Sequence, residues 1–129
     1  MTARILIAED DPNILNLLYV FLSQQGYTVE KATDGREALR LAAAITPDLL
    51  ITDVMMPHMN GYQLVNAIVY ERVDIPTPKI IMLTSRTDPS DVQRGLDVGV
   101  DMYIPKPFDI AEVTARVAEL LSEGKAKKD

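Results

Sequence analysis

Short apolar runs alternate with helical patterns five times along this chain, and that alternation leaves few folds open. The runs are Ile5-Leu6-Ile7-Ala8, Thr28-Val29-Glu30-Lys31-Ala32, Leu49-Leu50-Ile51-Thr52, Ile80-Ile81-Met82-Leu83-Thr84 and Met102-Tyr103-Ile104. The first, third and fourth are continuously apolar, as strands covered on both faces of a parallel sheet are. The second and fifth are more polar or shorter, which suits edges. Five β-α units place the chain in the α/β class, with helices on both faces of a parallel sheet. Right-handed crossovers then favour a doubly wound five-stranded sheet in the order 2-1-3-4-5. Such sheets bind ligands beyond the carboxyl ends of their strands, at the switch point between strands 1 and 3.

The intervening segments carry helix signals. Asp11-Pro12 and Asp88-Pro89 each set a capping residue before a proline at the first helical position. Asp34-x-x-Glu37 and Asp109-x-x-Glu112 have the spacing of capping boxes. Ile14, Leu15, Leu17, Leu18, Phe21 and Leu22 predict an apolar face on the first helix, which Gly26 ends. Asn60-Gly61 opens a third helix through Tyr70, and a last helix runs from Ile110 to Leu121 and stops at Gly124.

Composition narrows the chemistry. The 129 residues hold 13 Lys and Arg against 19 Asp and Glu, and residues 1–124 alone hold 10 bases and 18 acids. A body of that charge lacks the clustered cations of a nucleic-acid binder. There is no cysteine and a single histidine, His58, which excludes thiolate and multi-histidine metal sites. No apolar run approaches the roughly 20 residues of a membrane span, and no signal-peptide pattern opens the chain. The expectation is one acidic, cytoplasmic domain over residues 3–122, with a polar tail at 123–129.

The strand ends hold the chemistry. Strand 1 leads into Glu9-Asp10-Asp11, strand 3 ends in Thr52-Asp53, strand 4 in Thr84-Ser85 and strand 5 in Pro105-Lys106-Pro107. The predicted strand order brings Glu9, Asp10 and Asp53 to one crevice. Two like charges about 4 Å apart cost roughly 4 kcal/mol at an effective dielectric of 20. Such a cluster takes up protons or recruits a cation. Carboxylates without His or Cys favour Mg²⁺ or Ca²⁺, and a site with few direct carboxylates suits Mg²⁺ better. A carboxylate, a metal, a lysine and a hydroxyl around one point can stabilise a transferring phosphoryl group, with an Asp as nucleophile. Asp11, followed by Pro12, reads as a helix cap rather than a ligand. His58 reads as an exposed loop residue, and Met55, Met56 and Met59 as packing beneath their loop.

Four pieces in order resemble the receiver domains of two-component response regulators. They are Ile5 to Asp11, Asp53-Val54-Met55-Met56-Pro57-x-x-x-Gly61, Leu83-Thr84-Ser85, and Gly99-x-x-x-Tyr103-x-x-Lys106-Pro107-Phe108. The resemblance covers residues 3–122. It implies that Asp53 accepts phosphate from a histidine kinase or phosphotransfer protein. It further implies that Asp10 binds Mg²⁺ directly and Glu9 through water, with Asp53 and the Met55 backbone carbonyl completing the protein ligands. Thr84 and Lys106 would contact the phosphoryl group, Tyr103 would be an aromatic switch turning inward as Thr84 moves, and the Lys106-Pro107 peptide would be cis.

The output implied is a downstream protein target, reached through the face of the fourth helix, fifth strand and fifth helix. Asp101, Glu112 and Arg116 match part of the charged dimer set on that face, while Val92 and Met102 stand where charges are usual. A monomer and a phosphorylation-dependent dimer both stay open. A phosphatase with an aspartyl-phosphate intermediate needs an acid where Met55 stands. A flavodoxin-type carrier needs a phosphate loop where Glu9-Asp10-Asp11 would repel phosphate. A receiver that binds partners without phosphorylation would have lost one of the site residues. The chain thus reads as a receiver that catalyses only its own phosphotransfer and dephosphorylation. It either stands alone or forms part of a longer regulator with a DNA-binding or enzymatic output domain. Met55 and Arg86, two residues after Asp53 and Thr84, occupy positions that tune phosphate lifetime. An apolar Met55 cannot orient an attacking water, so a long lifetime is expected.

Overall fold

The structure, a computed structural model, describes residues 2–85 and 99–123. Among these, β1 (Arg4–Ala8), β2 (Thr28–Ala32), β3 (Leu49–Asp53), β4 (Lys79–Thr84) and β5 (Met102–Pro105) form one sheet. Its order is β2-β1-β3-β4-β5, with every neighbouring pair parallel. This is the doubly wound arrangement that the sequence predicts, with the two more polar runs at the edges. On β2 only Val29 and Ala32 are buried, whereas β3 is buried throughout.

Successive strand residues face opposite sides of a sheet, so each continuous apolar run feeds two core layers. Ile5, Ile7, Leu49, Ile51, Ile81 and Leu83 share one layer with α1 (Pro12–Gln24) and the C-terminal helix (Ile110–Ser122). Leu6, Ala8, Leu50, Ile80 and Met82 share the other with α2 (Gly35–Ile45) and α3 (Gly61–Asn66).

The apolar face of α1 is narrower than its sequence predicts. Leu15, Leu18 and Leu22 are buried, but Leu17, Val20 and Phe21 are about 40 % exposed. At 3.6 residues per turn the exposed three cluster opposite the buried three. A helix lying on a sheet covers only one stripe.

The caps fall where expected, with differences in detail. Asp11 accepts from the N–H groups of Asn13 and Ile14, at 2.9 and 3.5 Å. Asp34 accepts from the Glu37 N–H at 2.8 Å, but the Glu37 carboxylate reaches one residue further back than a capping box does, to the Thr33 N–H at 2.9 Å. Asp109 accepts from the Ala111 N–H rather than from that of Glu112. Asn60 and Gln63 do form a reciprocal capping box. Past Asn66 the third helix widens into a π turn over Ala67–Glu71, closed by the Arg72 N–H on the Ala67 carbonyl at 2.8 Å. The cap at Asp88-Pro89, the expected fourth helix, Arg86, Val92, Gly124 and the tail beyond it lie outside the described residues.

Candidate functional site

The parallel register sets the depth of each candidate at the carboxyl edge. Asp53 ends β3 opposite Leu83 of β4, so Thr84 stands one residue further along the neighbouring strand. Lys106 follows the last residue of β5, and its N–H donates to the Thr84 carbonyl at 2.8 Å. Glu9 follows β1, with its N–H donating to the Ala32 carbonyl of β2 at 3.0 Å. Backbone ladders thus fix all four strand ends before any side chain acts.

The side chains then converge. The Lys106 ammonium lies 2.9 Å from Glu9 Oε1 and 3.1 Å from Asp53 Oδ2. Glu9 is fully buried, and its second oxygen accepts from the Asp11 N–H at 3.1 Å. Asp53 is nearly buried, and its Oδ1 accepts from the Val54 N–H at 2.8 Å. Asp10 is exposed at the mouth, yet one oxygen from each of Glu9, Asp10 and Asp53 lies within 4.8 Å of the others. Thr84 is buried beside them. The Lys106-Pro107 peptide is cis, as expected.

One ammonium faces three carboxylates here, and the electrostatics record the imbalance. Burial pushes the Glu9 carboxyl up to about 7, against the pull of Lys106 and the Asp11 N–H, and the Asp53 charge adds to the rise. Burial works to lower the Lys106 value, but the hydrogen bonds to Glu9 and Asp53 and their charges win and hold it above the usual lysine value. An all-oxygen acid cluster, one of whose carboxyls is raised by burial, fits a hard divalent cation such as Mg²⁺.

Some candidates stand apart. The Met55 side chain is 67 % exposed, so it does not pack beneath its loop as expected, whereas Met56 and Met59 do pack against the core. A side chain on a strand-end loop has core to reach only if the loop folds back over it, and at Met55 it does not. His58 is exposed, with a left-handed φ of 69°. Tyr103 turns toward α3, and its hydroxyl donates to that of Tyr62 at 3.3 Å. Nothing in the sequence marks Tyr62, because a hydroxyl pair across 41 positions leaves no local pattern. Asp101 accepts from the Ile80 N–H at 2.7 Å, and Arg116 pairs with Glu119 at 3.2 Å, so two charges of the expected dimer set already have partners within the chain. An apolar groove of about 350 Å³ opens beside Lys106, between Ile14 and Leu17 of α1 and Pro107-Phe108.

A doubly wound sheet with a lysine-bridged acid cluster at its switch point defines a class of α/β domain, and comparison with known proteins identifies the family. Residues 5–118 match the response regulator receiver domain family, and the chain belongs to it, a receiver domain of two-component signalling. Response regulator MprA of Mycobacterium ulcerans is 42 % identical over 129 residues, which cover 100 % of this chain and 54 % of that protein. The MprA of Mycolicibacterium vanbaalenii is 43 % identical over 121 residues, 94 % of this chain and 51 % of that protein. The chain spans about half the length of these curated relatives. Among solved structures, chemotaxis response regulator CheY4 of Vibrio cholerae superposes with a TM-score of 0.86 at 33 % identity, covering 93 % of this chain and 99 % of that one. The receiver domain of a signal transduction histidine kinase from Syntrophus aciditrophicus gives 0.85 at 38 % identity, over 99 % of this chain and 95 % of that one. No helix among the described residues is long and apolar enough to cross a membrane.

Proposed function

We propose that residues 3–122 form a phosphorylation-driven switch in the cytoplasm, with residues 123–129 as a polar tail, and that Asp53 is the phosphoacceptor. The observation that carries this is the Lys106 ammonium held between Glu9 and Asp53 while Asp10 completes the acid cluster. A carboxylate oxygen of Asp53 attacks the phosphorus of a phosphohistidine on a histidine kinase or phosphotransfer protein. An O–P bond forms, the N–P bond breaks and the imidazole leaves.

Glu9, Asp10, Asp53 and the Met55 carbonyl are the groups that would hold Mg²⁺, which supplies positive charge to the phosphoryl oxygens when bound. The Val54 N–H fixes one oxygen of Asp53, which leaves Oδ2, on the Lys106 side, as the reacting atom. The Lys106 ammonium passes from that carboxylate to the phosphoryl oxygens without leaving its place. The Thr84 hydroxyl donates to the same group and draws Tyr103 with it. The changed surface is read by a downstream protein, not by nucleic acid or a membrane. The domain acts on itself and is no turnover enzyme.

A second reading has one observation in its favour. The relatives are about twice as long, as expected where a receiver is joined to an output domain. Reading the genomic frame past Asp129 separates a stand-alone receiver from part of a longer regulator. The phosphoacceptor reading is tested by phosphotransfer from histidine kinases charged with labelled ATP. Wild type takes label from one or a few, and Asp53→Asn takes none. Equal labelling of that variant contradicts the assignment.

A further inference from the structure

Tyr103 stands on the edge strand β5, and its half-buried ring packs against the core layer that includes α3. Its hydroxyl meets that of Tyr62 at 3.3 Å. Tyr62 is 5 % exposed and lies in the first turn of α3, directly after Gly61. Gly61 is fastened to the loop that leaves Asp53. Its N–H donates to the Val54 carbonyl at 2.8 Å, and a Cβ on it would run into the Asp53 carbonyl oxygen. The capping box of Asn60 and Gln63 locks the same turn. Tyr62 is therefore tied to the backbone of Asp53, while Tyr103 belongs to β5, the last strand in the order of the sheet. The contact exceeds the usual 2.5–3.0 Å of a hydroxyl pair.

We propose that Tyr62 is a positioning residue for Tyr103: its hydroxyl holds the Tyr103 ring against α3 and so sets the resting balance of the aromatic switch. This rests on Tyr103 being that switch. Tyr62 then favours the arrangement in which Asp53 is phosphorylated, and it links the loop after Asp53 to the edge strand by a route separate from Thr84.

The test uses the full chain with its tyrosines ¹³C-labelled at Cζ, an atom whose shift reports phenol hydrogen bonding. The Tyr103 resonance is assigned by its loss in Tyr103→Phe. In Tyr62→Phe that resonance moves, while the melting temperature stays close to that of wild type. Labelling of Asp53 by acetyl phosphate with Mg²⁺ slows about fivefold, the change expected from one neutral hydrogen bond. Tyr103→Phe slows labelling to a similar extent, and the double variant is no slower than either, because paired groups are not additive. An unmoved Tyr103 resonance in Tyr62→Phe, or fully additive slowing in the double variant, overturns the proposal. Wild type that takes no label overturns the phosphorylation reading instead, and the resonance still decides the hydroxyl pair.

Discussion

Glu9 carries the clearest single-residue consequence of the crevice. Its carboxyl rises from an ordinary 4.5 to about 7 because burial disfavours its charge. In metal-free protein the folded state therefore holds this proton where the unfolded state has released it. The stability that results is complete below the unfolded value and is lost as pH rises through 7. Denaturant titrations in chelator at pH 5 and pH 7.5 should show less stability at the higher pH, and Glu9→Gln should flatten the difference. A wild-type slope of the opposite sign contradicts the assignment. Met55 makes a kinetic prediction. Its exposed thioether is only a weak acceptor and cannot orient an attacking water as an amide does. Met55→Asn should speed loss of the phosphoryl group by roughly tenfold, less than a full general base supplies. A slower decay, read by intact-mass spectrometry over time, counts against it. At this scale the sequence showed the acids and the lysine, since each sits at a strand end that the pattern locates. It did not show that Lys106 bridges Glu9 and Asp53, because side-chain reach is settled only by the fold. Tyr62 was illegible for the same reason.

Elements fix those side chains through their ends. The loop after β3 returns to α3 through Gly61, whose N–H bonds Val54 and whose missing side chain leaves room for the Asp53 carbonyl. Gly61→Ala must push that loop away, and overpacking of this kind costs about 1–3 kcal/mol. We expect a lower melting temperature together with slower labelling at Asp53, measured by calorimetry and mass spectrometry on one sample. Wild-type values for both indicate that the close approach does not position Asp53. The five strands and the caps at Asp11, Asp34, Asn60 and Asp109 were legible to within a residue or two because periodicity and capping chemistry are local. The π turn at Ala67–Glu71 was not, since an i→i+5 widening leaves the apolar spacing nearly unchanged. The outer face of α1 was misread because apolar content does not reveal which stripe meets the sheet. Leu17, Val20 and Phe21 remain exposed, and Leu17 lines the groove at Lys106.

Among the described residues the molecule is one sheet with a core layer on each face, and Asp53 lies where the two directions of winding part. The core is continuous on both faces of β1, β3 and β4, so the crevice can hold a charge cluster that the fold stabilises from below. To move such a domain from 1:99 to 99:1 between two states, phosphorylation must favour one by about 5.5 kcal/mol. The most direct test is intact-mass spectrometry after treatment with acetyl phosphate. Wild type is expected to gain the mass of one phosphoryl group when Mg²⁺ is present and not in chelator, and Asp53→Asn to gain none in either. A gain in Asp53→Asn equal to that of wild type, or labelling of wild type that does not depend on Mg²⁺, would contradict it.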